Sequence, residues 1–337
     1  MSNQKQFTVA VPVYNAMPYL PATMESLFGQ SFTDFELLVI NDGSSDGSKD
    51  YLSTLRNPRL RIIHQENRGL TATLNRMLRE VQTPWLVRMD ADDIARPHRL
   101  AVLHRALERF PHAGMFYTDA QHFGHPAFIS STRSTVGTPA ELAAIVRSGK
   151  LLSIIHSSVA LHVERTRAIG GYRFDLHVED LDLWWRMALH YEIVHVPEVT
   201  VDYRLNNGSI CQNNLRKLTL HSLYIQYLLL SVLWQQEPIA FEKVVPTLKL
   251  LLDEKHLLYR ERMWNAAIDL SNRRYLAAGI KSAVALLAAP CKLAERLIHA
   301  VRPTKRFSVG VDPERFRKIS HQLWPAKSST RLRQVTA

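Results

Sequence analysis

Short apolar segments alternate with helical patterns through the first ninety residues, and this alternation restricts the fold more than any other feature of the chain. The runs FTVAVPV, FELLVI, LRIIH and WLVRM have the length and composition of buried strands. Apolar residues at helical spacing separate them, as at Leu20, Met24 and Leu27. Such alternation predicts βαβ units with right-handed crossovers. We therefore expect a Rossmann-like α/β fold, with a mainly parallel twisted sheet flanked by helices.

Polar residues suited to ligand binding lie at the ends of these predicted strands. They fall in four segments, which are Pro12-Val13-Tyr14-Asn15, Asn41-Asp42-Gly43-Ser44, Asn67-Arg68-Gly69 and Asp90-Ala91-Asp92-Asp93. Ligands of open α/β sheets bind outside the carboxyl ends of the strands, so we expect the four segments to line one edge. There Asp42 could accept a hydrogen bond from a nucleobase or ribose, and Arg68 could neutralise phosphate charge. Glycine would let the backbone approach the ligand closely.

The acidic segment has the chemistry of a metal site. Residues two apart on a strand project to the same side, so Asp90 and Asp92 can converge on one hard cation. Mg²⁺ is usually held by one or two carboxylates plus substrate phosphates, and Mn²⁺ accepts the same oxygen ligands. Taken alone, an Asp-x-Asp triplet is as readily a solvated acidic turn. The three other segments favour a metal site that binds a diphosphate.

A second acidic pair, Glu179-Asp180, begins a predicted helix. Acidic residues favour helix N-termini, so capping is the alternative to catalysis for this pair. Three further side chains also have two interpretations. Trp184 either stacks on a sugar or packs in the core, and His156 either lines an acceptor site or is a satisfied core histidine. Arg204 either contacts a diphosphate or forms a surface ion pair.

The ordered set of motifs resembles one known family. The segments are VPVYNA (11–16), ELLVINDGSSDGS (36–48), ENRGL (66–70), MDADD (89–93), GGYR (170–173) and EDLDLWWRM (179–187). Together they resemble the inverting family 2 glycosyltransferases of the GT-A fold, from about residue 7 to residue 205. This resemblance implies a nucleotide-sugar donor, a divalent metal (Mn²⁺ or Mg²⁺) at the Asp-x-Asp motif, and an aspartate base in the second acidic motif.

The resemblance also assigns roles to single residues. It implies that Asp42 contacts the nucleobase, Asp90 lies near the ribose or diphosphate, and Asp92 coordinates the metal. Asp180 is the implied general base, which leaves Asp182 as a solvated or supporting carboxylate. The residues implied to bind the donor are Pro12, Tyr14, Asn15, Asp42, Asn67, Arg68, Gly69, Asp90, Ala91 and Arg204. The implied metal ligands are Asp90 and Asp92. The residues implied on the acceptor side are Glu179, Trp184 and His156. One base and one Lewis acid suffice for this chemistry, because inverting transfer is a single in-line displacement.

The last third of the chain differs in charge from the rest. Residues 1–210 contain 21 Lys and Arg against 22 Asp and Glu, whereas residues 211–337 contain 21 against 9. We expect a catalytic domain over 1–210, a basic helical region over 211–302 and a basic, poorly ordered tail over 303–337. The basic excess predicts contact with an anionic surface. Apolar and basic residues are interspersed in 262–301. Such a helix either packs as a cap on the catalytic domain with a solvated basic face, which is the first interpretation, or lies in a membrane interface, which is the second. Nucleic acid is not expected, since no aromatic stacking platform accompanies the charge.

The remaining features bear on function class and location. Two cysteines without metal-type spacing give no disulfide framework. Neither a signal-peptide pattern nor an apolar run of about 18 residues occurs. We therefore expect a cytoplasmic protein, at most peripheral on the cytoplasmic face of the inner membrane.

The predicted reaction is metal-dependent inverting transfer of a sugar, with UDP as the first-choice nucleotide, to a glycan or lipid-linked hydroxyl in cell-surface polysaccharide synthesis. Two alternatives stay open. The first is a sugar-1-phosphate nucleotidyltransferase, although such enzymes usually carry a Gly-rich loop with Arg and Lys where this chain has residues 12–15. The second is a non-catalytic nucleotide-sugar-binding module.

Overall fold

A computed structural model gives the fold over residues 5–124, 134–174, 176–205, 215–271, 273–288 and 308–325. Strands and helices alternate in the first part of the chain, as the sequence predicts. The elements there are β1 (Phe7–Val13), α1 (Leu20–Phe28), β2 (Phe35–Asp42), α2 (Ser48–Thr54), β3 (Leu60–Gln65), α3 (Leu70–Glu80), β4 (Trp85–Arg88), β5 (Ile94–Ala95) and α4 (Arg99–Arg109). The next elements are β6 (Ala113–Phe123), α5 (Pro139–Arg147), a 3₁₀ turn (His156–Ser158), β7 (Val159–His162), α6 (Val163–Ala168), α7 (Glu179–His190) and β8 (Glu192–Arg204).

The described strands form one eight-stranded sheet in the order β3-β2-β1-β4-β7-β6-β8-β5. The first half is parallel, through the pairs β1–β2, β2–β3 and β1–β4. The second half is mixed, because β7 runs antiparallel to both β4 and β6, and β5 runs antiparallel to β8, while β6 and β8 are parallel. The α/β fold is therefore confirmed, but the sheet is more mixed than the βαβ pattern predicts. That pattern covers only the first four strands.

The continuous apolar runs arise because the sheet is buried on both faces. Along β2, Leu37 and Val39 belong to one core cluster, whereas Leu38 and Ile40 belong to the other. Helices α1, α2 and α4 cover the first face, and helices α3, α5 and α7 cover the second. With both faces covered, ligands have access at the strand ends.

Helices follow in the basic region. They are α8 (Leu215–Leu233), α9 (Phe241–Leu248), a 3₁₀ turn (Lys249–Leu251), α10 (Glu254–Ser271), α11 (Tyr275–Ala288), α12 (Pro313–Lys318) and α13 (Ser320–Leu323). The expected helical region over 211–302 is therefore interrupted, because Leu252 has extended backbone angles. Residues 289–302 of this region lie outside the described residues, as do Cys211 and Cys291.

The first of these helices packs directly on the α/β core. Leu223, Ile225 and Leu229 of α8 belong to the same buried cluster as Leu183 of α7. Helices α10 and α11 instead pack on each other around Tyr259 and Ala285. None of the helices in the described ranges combines the length and the apolar composition needed to cross a membrane.

Residues 308–325 differ from the expected poorly ordered tail. Phe316 and Leu323 are fully buried in the main core cluster, and Trp324 stacks on Tyr227 with 5.0 Å between ring centroids. The Tyr227 hydroxyl donates to the carbonyl of Leu323 at 3.1 Å. This segment folds because its apolar side chains pack on α8. The net charge of the segment, on which the prediction of a poorly ordered tail was based, gives no information about this packing.

Candidate functional site

The first two predicted segments are joined by hydrogen bonds at the ends of β1 and β2. The amide of Asn15 donates to Ser44 Oγ at 3.0 Å, and the amide of Ser45 donates to Asn15 Oδ1 at 2.8 Å. Asn15 has a φ of 49°, a left-handed conformation that asparagine tolerates better than most residues. Tyr14 beside it is 56% exposed, so its ring is presented at the edge of the sheet. Pro12 is the partly buried strand residue that leads into this turn.

Asp46 is a supporting residue that the sequence interpretation did not single out. Its carboxylate accepts from the amide of Met17 at 2.8 Å and from the hydroxyl of Ser48 at 2.6 Å. Burial opposes ionisation of Asp46, but hydrogen bonds from Ser48 and Met17 hold its pKa below the usual value. The ionised side chain therefore fastens the loop after β1 to the start of α2.

Asp42 organises the third segment. Its Oδ1 accepts from Gln65 Nε2 at 2.6 Å and from the amide of Arg68 at 2.8 Å, and its Oδ2 accepts from the amide of Gly69 at 3.0 Å. The side chain is 3% exposed. Gly43 makes the approach of the two loops possible, because a Cβ at its φ of 72° would lie 2.7 Å from the amide nitrogen of Asn67. These contacts give Asp42 a loop-organising role, and its predicted nucleobase contact stays a prediction.

The segment that Asp42 holds is itself presented to solvent. Asn67 and Arg68 are exposed, and Gly69 is partly buried at the start of α3. Both exposed side chains lie where a ligand bound at the sheet edge would meet them. The structure therefore brings the first three predicted segments together at one edge.

The acidic segment follows β4 at the same edge. Asp90 is partly exposed and is ion-paired with Arg88, whose side chain is 2% exposed. The Ser157 hydroxyl donates to Asp90 Oδ2 at 2.8 Å, and the Asp90 amide donates to Ser157 Oγ at 3.2 Å. Ala91 is buried in the core, where its carbonyl accepts from the Thr23 hydroxyl at 3.0 Å. Any contact of Ala91 with a ligand would thus be made by its backbone.

The carboxylates of this segment interact strongly. Burial, together with the charge of Asp90, raises the pKa of Asp92 to about 6. Burial and the charges of Asp90 and Asp92 raise the pKa of fully buried Asp93 well above the usual value. A divalent cation would relieve this repulsion, and two carboxylates suit Mg²⁺ or Mn²⁺ when phosphate oxygens complete the coordination. Within the described ranges no group of three or more His, Cys, Asp or Glu side chains could hold a metal alone. The donor set therefore fits a cation that is shared with a diphosphate.

Arg204 is tied to this acidic turn. Its amide donates to Asp93 Oδ1 at 2.7 Å, and its Nε donates to the carbonyl of Asp92 at 2.7 Å. The guanidinium lies between the rings of Tyr19 and Phe123, at 4.6 and 4.3 Å from their centroids. These contacts place Arg204 beside the predicted metal ligands and fix the backbone of the turn. Arg204 is therefore not the surface ion pair that was the second interpretation of this residue.

The second acidic motif begins α7, as predicted. Asp180 is partly buried, and its Oδ1 accepts from the amide of Leu181 at 2.7 Å. Burial raises the pKa of Asp180 to about 6, and burial together with Asp180 raises the pKa of Glu179 to about 7. The positive charge of Arg88 acts in the opposite direction on both. A carboxylate with a pKa near 6 is ionised at neutral pH yet basic enough to take a proton.

The structure changes the interpretation of two residues predicted on the acceptor side. Trp184 is fully buried and meets the His156 ring edge-on at 5.5 Å, so it is a core residue and offers no surface to a sugar. Its position on α7 turns it toward the core, because it lies three positions after Leu181, which packs against the same core cluster. His156 Nε2 lies 2.8 Å from the Tyr172 hydroxyl. Burial, aided by Arg88, lowers the pKa of His156 well below its usual value.

His156 is therefore a buried neutral histidine held by Tyr172, and its Nδ1 lies 3.7 Å from Glu179 Oε1. Glu179 is 5% exposed, so both residues support the motif from below. Of the two interpretations of Asp182, the solvated carboxylate is wrong and the supporting carboxylate agrees with the structure. Its side chain is fully buried and paired with Arg173 at 2.6 Å and Arg186 at 2.7 Å.

Two residues important for this geometry carry no motif signal. Arg88 lies beneath the acidic segment, and its charge acts on Asp92, Glu179 and Asp180. Ser157 contacts both Arg88 and Asp90. An arginine at the end of an apolar strand is the one signal that could have marked Arg88. The role of Ser157 depends on the pairing of β4 with β7, which the sequence alone does not give.

Comparison with known proteins identifies the domain in which this site lies. Residues 8–160 match the family model described as glycosyl transferase family 2. Residues 8–160 form a family 2 glycosyltransferase domain. The chain is 27% identical over 198 residues to the putative glycosyltransferase EpsE of Bacillus subtilis, and this alignment covers 55% of the chain and 68% of EpsE. Three further glycosyltransferases of Bacillus subtilis and Escherichia coli match over only 26–29% of their own length.

Solved structures show the same fold for the glycosyltransferase domain. S. aureus TarS 1-349, solved in complex with UDP-GlcNAc, aligns with a TM-score of 0.54 and 16% identity, covering 78% of this chain and 72% of TarS. The mannosyltransferase PcManGT of Pyrobaculum calidifontis, solved with GDP-Man and Mn²⁺, aligns with a TM-score of 0.52 and 18% identity, covering 90% of this chain and 82% of PcManGT. The GT-A fold expected from the sequence is thereby confirmed.

Proposed function

We propose that this protein is an inverting, metal-dependent glycosyltransferase that moves a sugar from a nucleotide-sugar, with UDP as the first-choice nucleotide, to an acceptor hydroxyl. One observation carries the proposal: a single 3₁₀ turn joins the two acidic motifs, because its Ser157 donates to Asp90 Oδ2 at 2.8 Å and the neighbouring His156 Nδ1 lies 3.7 Å from Glu179 Oε1. A donor diphosphate at Asp90 and Asp92 would therefore lie within reach of a base at Asp180.

The proposed donor site uses the exposed edge residues. Tyr14 offers a ring face for stacking, Asn15 and Asn67 offer amide groups, and Arg68 offers a positive charge for the diphosphate. Asp42 holds this loop in place and, in the proposal, also contacts the nucleobase. Support comes from the related folds that were solved with UDP-GlcNAc and with GDP-Man.

Asp90 and Asp92 are the residues that would hold Mn²⁺ or Mg²⁺. Bound there, the ion would neutralise charge on the leaving diphosphate as a Lewis acid. Mn²⁺ in the PcManGT structure supports this choice. Arg204 keeps the Asp92–Asp93 backbone in place through its two hydrogen bonds.

Asp180 is the proposed general base. The acceptor oxygen attacks the anomeric carbon from the face opposite the diphosphate, its proton passes to the Asp180 carboxylate, and the bond from the anomeric carbon to the diphosphate oxygen breaks. The configuration inverts, and the nucleoside diphosphate leaves. Glu179 lies buried beneath Asp180, where its raised pKa keeps it partly protonated near neutral pH. In the proposed reaction, only Asp180 of this pair needs to be ionised, because it alone takes the proton.

The proposed acceptor is a glycan or a lipid-linked saccharide in cell-surface polysaccharide synthesis. We place the catalytic domain at residues 1–210 and a membrane-facing helical region at 211–302, on the cytoplasmic face of the inner membrane. Support comes from α11, where Leu276, Ile280 and Val284 are 80%, 58% and 39% exposed at helical spacing. Arg273 and Arg274, both exposed, precede this helix and would meet anionic lipid.

A thermal-shift panel of nucleotide-sugars with Mn²⁺ tests the donor assignment, because a ligand that binds only the folded state raises its stability. The proposal predicts a shift with UDP-sugars that exceeds the shift with sugar 1-phosphates. The hit is then incubated with acceptor extracts, and the products are identified. Release of nucleoside diphosphate supports transfer, whereas release of pyrophosphate from UTP and a sugar phosphate would identify a nucleotidyltransferase. Donor binding without any turnover would favour the alternative of a non-catalytic nucleotide-sugar-binding module.

A further inference from the structure

Ser157 occupies a junction between the strand that ends in Arg88 and the predicted metal ligands. The residue is fully buried in the 3₁₀ turn before β7. Its hydroxyl accepts from Arg88 Nη1 at 3.1 Å and from the Asp90 amide at 3.2 Å, and it donates to Asp90 Oδ2 at 2.8 Å. Three polar groups therefore converge on one oxygen, which lies 67 residues from Asp90 along the chain.

The neighbouring serine shows that burial alone does not require this arrangement. Ser158 is equally buried in the same turn, and its hydroxyl donates to the carbonyl of Ile155 at 2.7 Å. This local bond satisfies the hydroxyl within the turn. Ser157 instead uses its hydroxyl on the acidic segment, in the direction of the donor site.

The two oxygens of the Asp90 carboxylate differ in their contacts. Within the described residues, Arg88 and Ser157 both contact Oδ2. The side chain is nevertheless 31% exposed. With Oδ2 anchored from the buried side, rotation of the carboxylate is restricted, and Oδ1 is the oxygen available to a ligand at the sheet edge.

We propose that Ser157 is a positioning residue of the donor site, which together with Arg88 anchors Oδ2 of Asp90 so that Oδ1 faces the metal and the diphosphate. The inference rests on the proposed function, since it needs a cation at this motif. It adds a residue from the β7 side of the sheet, outside the motifs. Ser157 acts through Asp90 and does not itself touch the donor.

Matched variants separate this role from a general packing role. Ser157→Ala removes the anchoring hydroxyl, and Ser158→Ala removes a buried hydroxyl of the same turn. For both variants and the unmodified protein, UDP binding is measured by calorimetry at a series of Mn²⁺ concentrations, with thermal unfolding as a check on the fold. Ser157→Cys and Ser158→Cys repeat the comparison if an alanine variant does not fold, because a thiol is a weak donor and acceptor.

We expect the half-saturating Mn²⁺ concentration for UDP binding to rise about 3–10-fold in Ser157→Ala, since a hydrogen bond to a charged group is lost. In Ser158→Ala it should stay within about twofold of the unmodified protein, because the lost bond is to a neutral carbonyl. An unchanged midpoint in Ser157→Ala would overturn the inference, and so would a loss of UDP binding that is the same at every Mn²⁺ concentration. If the unmodified protein binds UDP without any response to Mn²⁺, the proposed metal-dependent function fails first.

Discussion

The guanidinium of Arg88, buried at the end of β4, is ion-paired with the carboxylate of Asp90 two residues further along the chain. Burial raises the pKa values of Asp92, Glu179 and Asp180, and the positive charge of Arg88 opposes this effect by favouring their ionised forms. One buried cation therefore serves the predicted metal ligands and the predicted base. It links the two halves of the proposed reaction.

Replacing Arg88 should shift the pH dependence of catalysis. In Arg88→Gln the acidic limb of the kcat profile, which we expect near the Asp180 pKa of about 6, should move up by about one pH unit, because an opposing charge is lost. Arg99→Gln is the control, since Arg99 is also fully buried but contacts the Arg88 carbonyl and Met89 Sδ. Equal shifts in both variants would mean that the effect is not specific to Arg88.

Replacing the base should separate chemistry from donor binding. In Asp180→Asn we expect kcat to fall by about 10²–10⁴-fold, the usual contribution of a positioned general base. Mn²⁺-dependent UDP binding should stay within about threefold, because Asp180 lies outside the proposed donor contacts. Steady-state kinetics and calorimetry on the same preparation check both. Retention of full transfer activity would remove Asp180 from the mechanism.

The same substitution should stabilise the fold at neutral pH. Burial raises the pKa of Asp180 in the folded state above its unfolded value, so ionisation costs stability as pH rises from about 4 through about 6. Asp180→Asn removes that cost and should raise the free energy of unfolding by about 1–3 kcal/mol at pH 7 and by little at pH 4. Asp182→Asn should instead lower the free energy of unfolding at pH 7, because Arg173 and Arg186 lose their buried charged partner. Urea unfolding at both pH values measures the two variants.

Asp42 should matter through the loop that it holds. In Asp42→Asn the amide group replaces one acceptor oxygen, so at least one of the amides of Arg68 and Gly69 loses its partner. We expect a loss of about 1–3 kcal/mol in stability together with a weaker affinity for UDP. Unfolding and UDP titration report the two effects. A loss of affinity with no change in stability would mean that Asp42 acts through its proposed nucleobase contact alone.

The C-terminal segment should contribute to the stability of the whole domain. Phe316 is fully buried in the main core cluster, so Phe316→Ala should cost about 3–5 kcal/mol. Lys318→Ala, on the exposed side of the same helix, should change stability by less than about 0.5 kcal/mol. Equal midpoints of urea unfolding for Phe316→Ala and the unmodified protein would show that this segment is dispensable.

The exposed apolar row of α11 should govern any membrane binding. Leu276→Glu with Ile280→Glu should abolish sedimentation with anionic vesicles, because both charges would enter the lipid interface. Leu250→Glu is a matched control, since Leu250 is 62% exposed but belongs to another element. If the unmodified protein fails to sediment at both low and high salt, the helices are a cap on the domain without a membrane role.

The sequence predicts the parts of this site that depend on strand ends. The runs that end at Val13, Asp42 and Arg88 are buried strands, so the polar residues at the ends of these strands or directly after them meet at one edge. The start of α7 at Glu179 was also predictable, because acidic residues there serve both the helix and the reaction. These features depend on local patterns within about ten residues.

What the sequence did not reveal depends on contacts between distant segments. Ser157 reaches Asp90 only because β7 returns antiparallel to β4. Trp184 was ambiguous until the face of α7 that packs against His156 was known. Phe316 lies in a basic stretch, and its burial depends on the position of α8. Pairing and packing of this kind leave no local signal in a single sequence.

The most direct test of the account is calorimetric titration of UDP into the protein with and without Mn²⁺, compared between the unmodified chain, Asp92→Ala and the exposed control Asp50→Ala. We predict that Mn²⁺ tightens UDP binding for the unmodified chain and for Asp50→Ala, and that Asp92→Ala loses this response. A response to Mn²⁺ in Asp92→Ala equal to that of the unmodified chain would contradict a metal-bridged diphosphate at this motif.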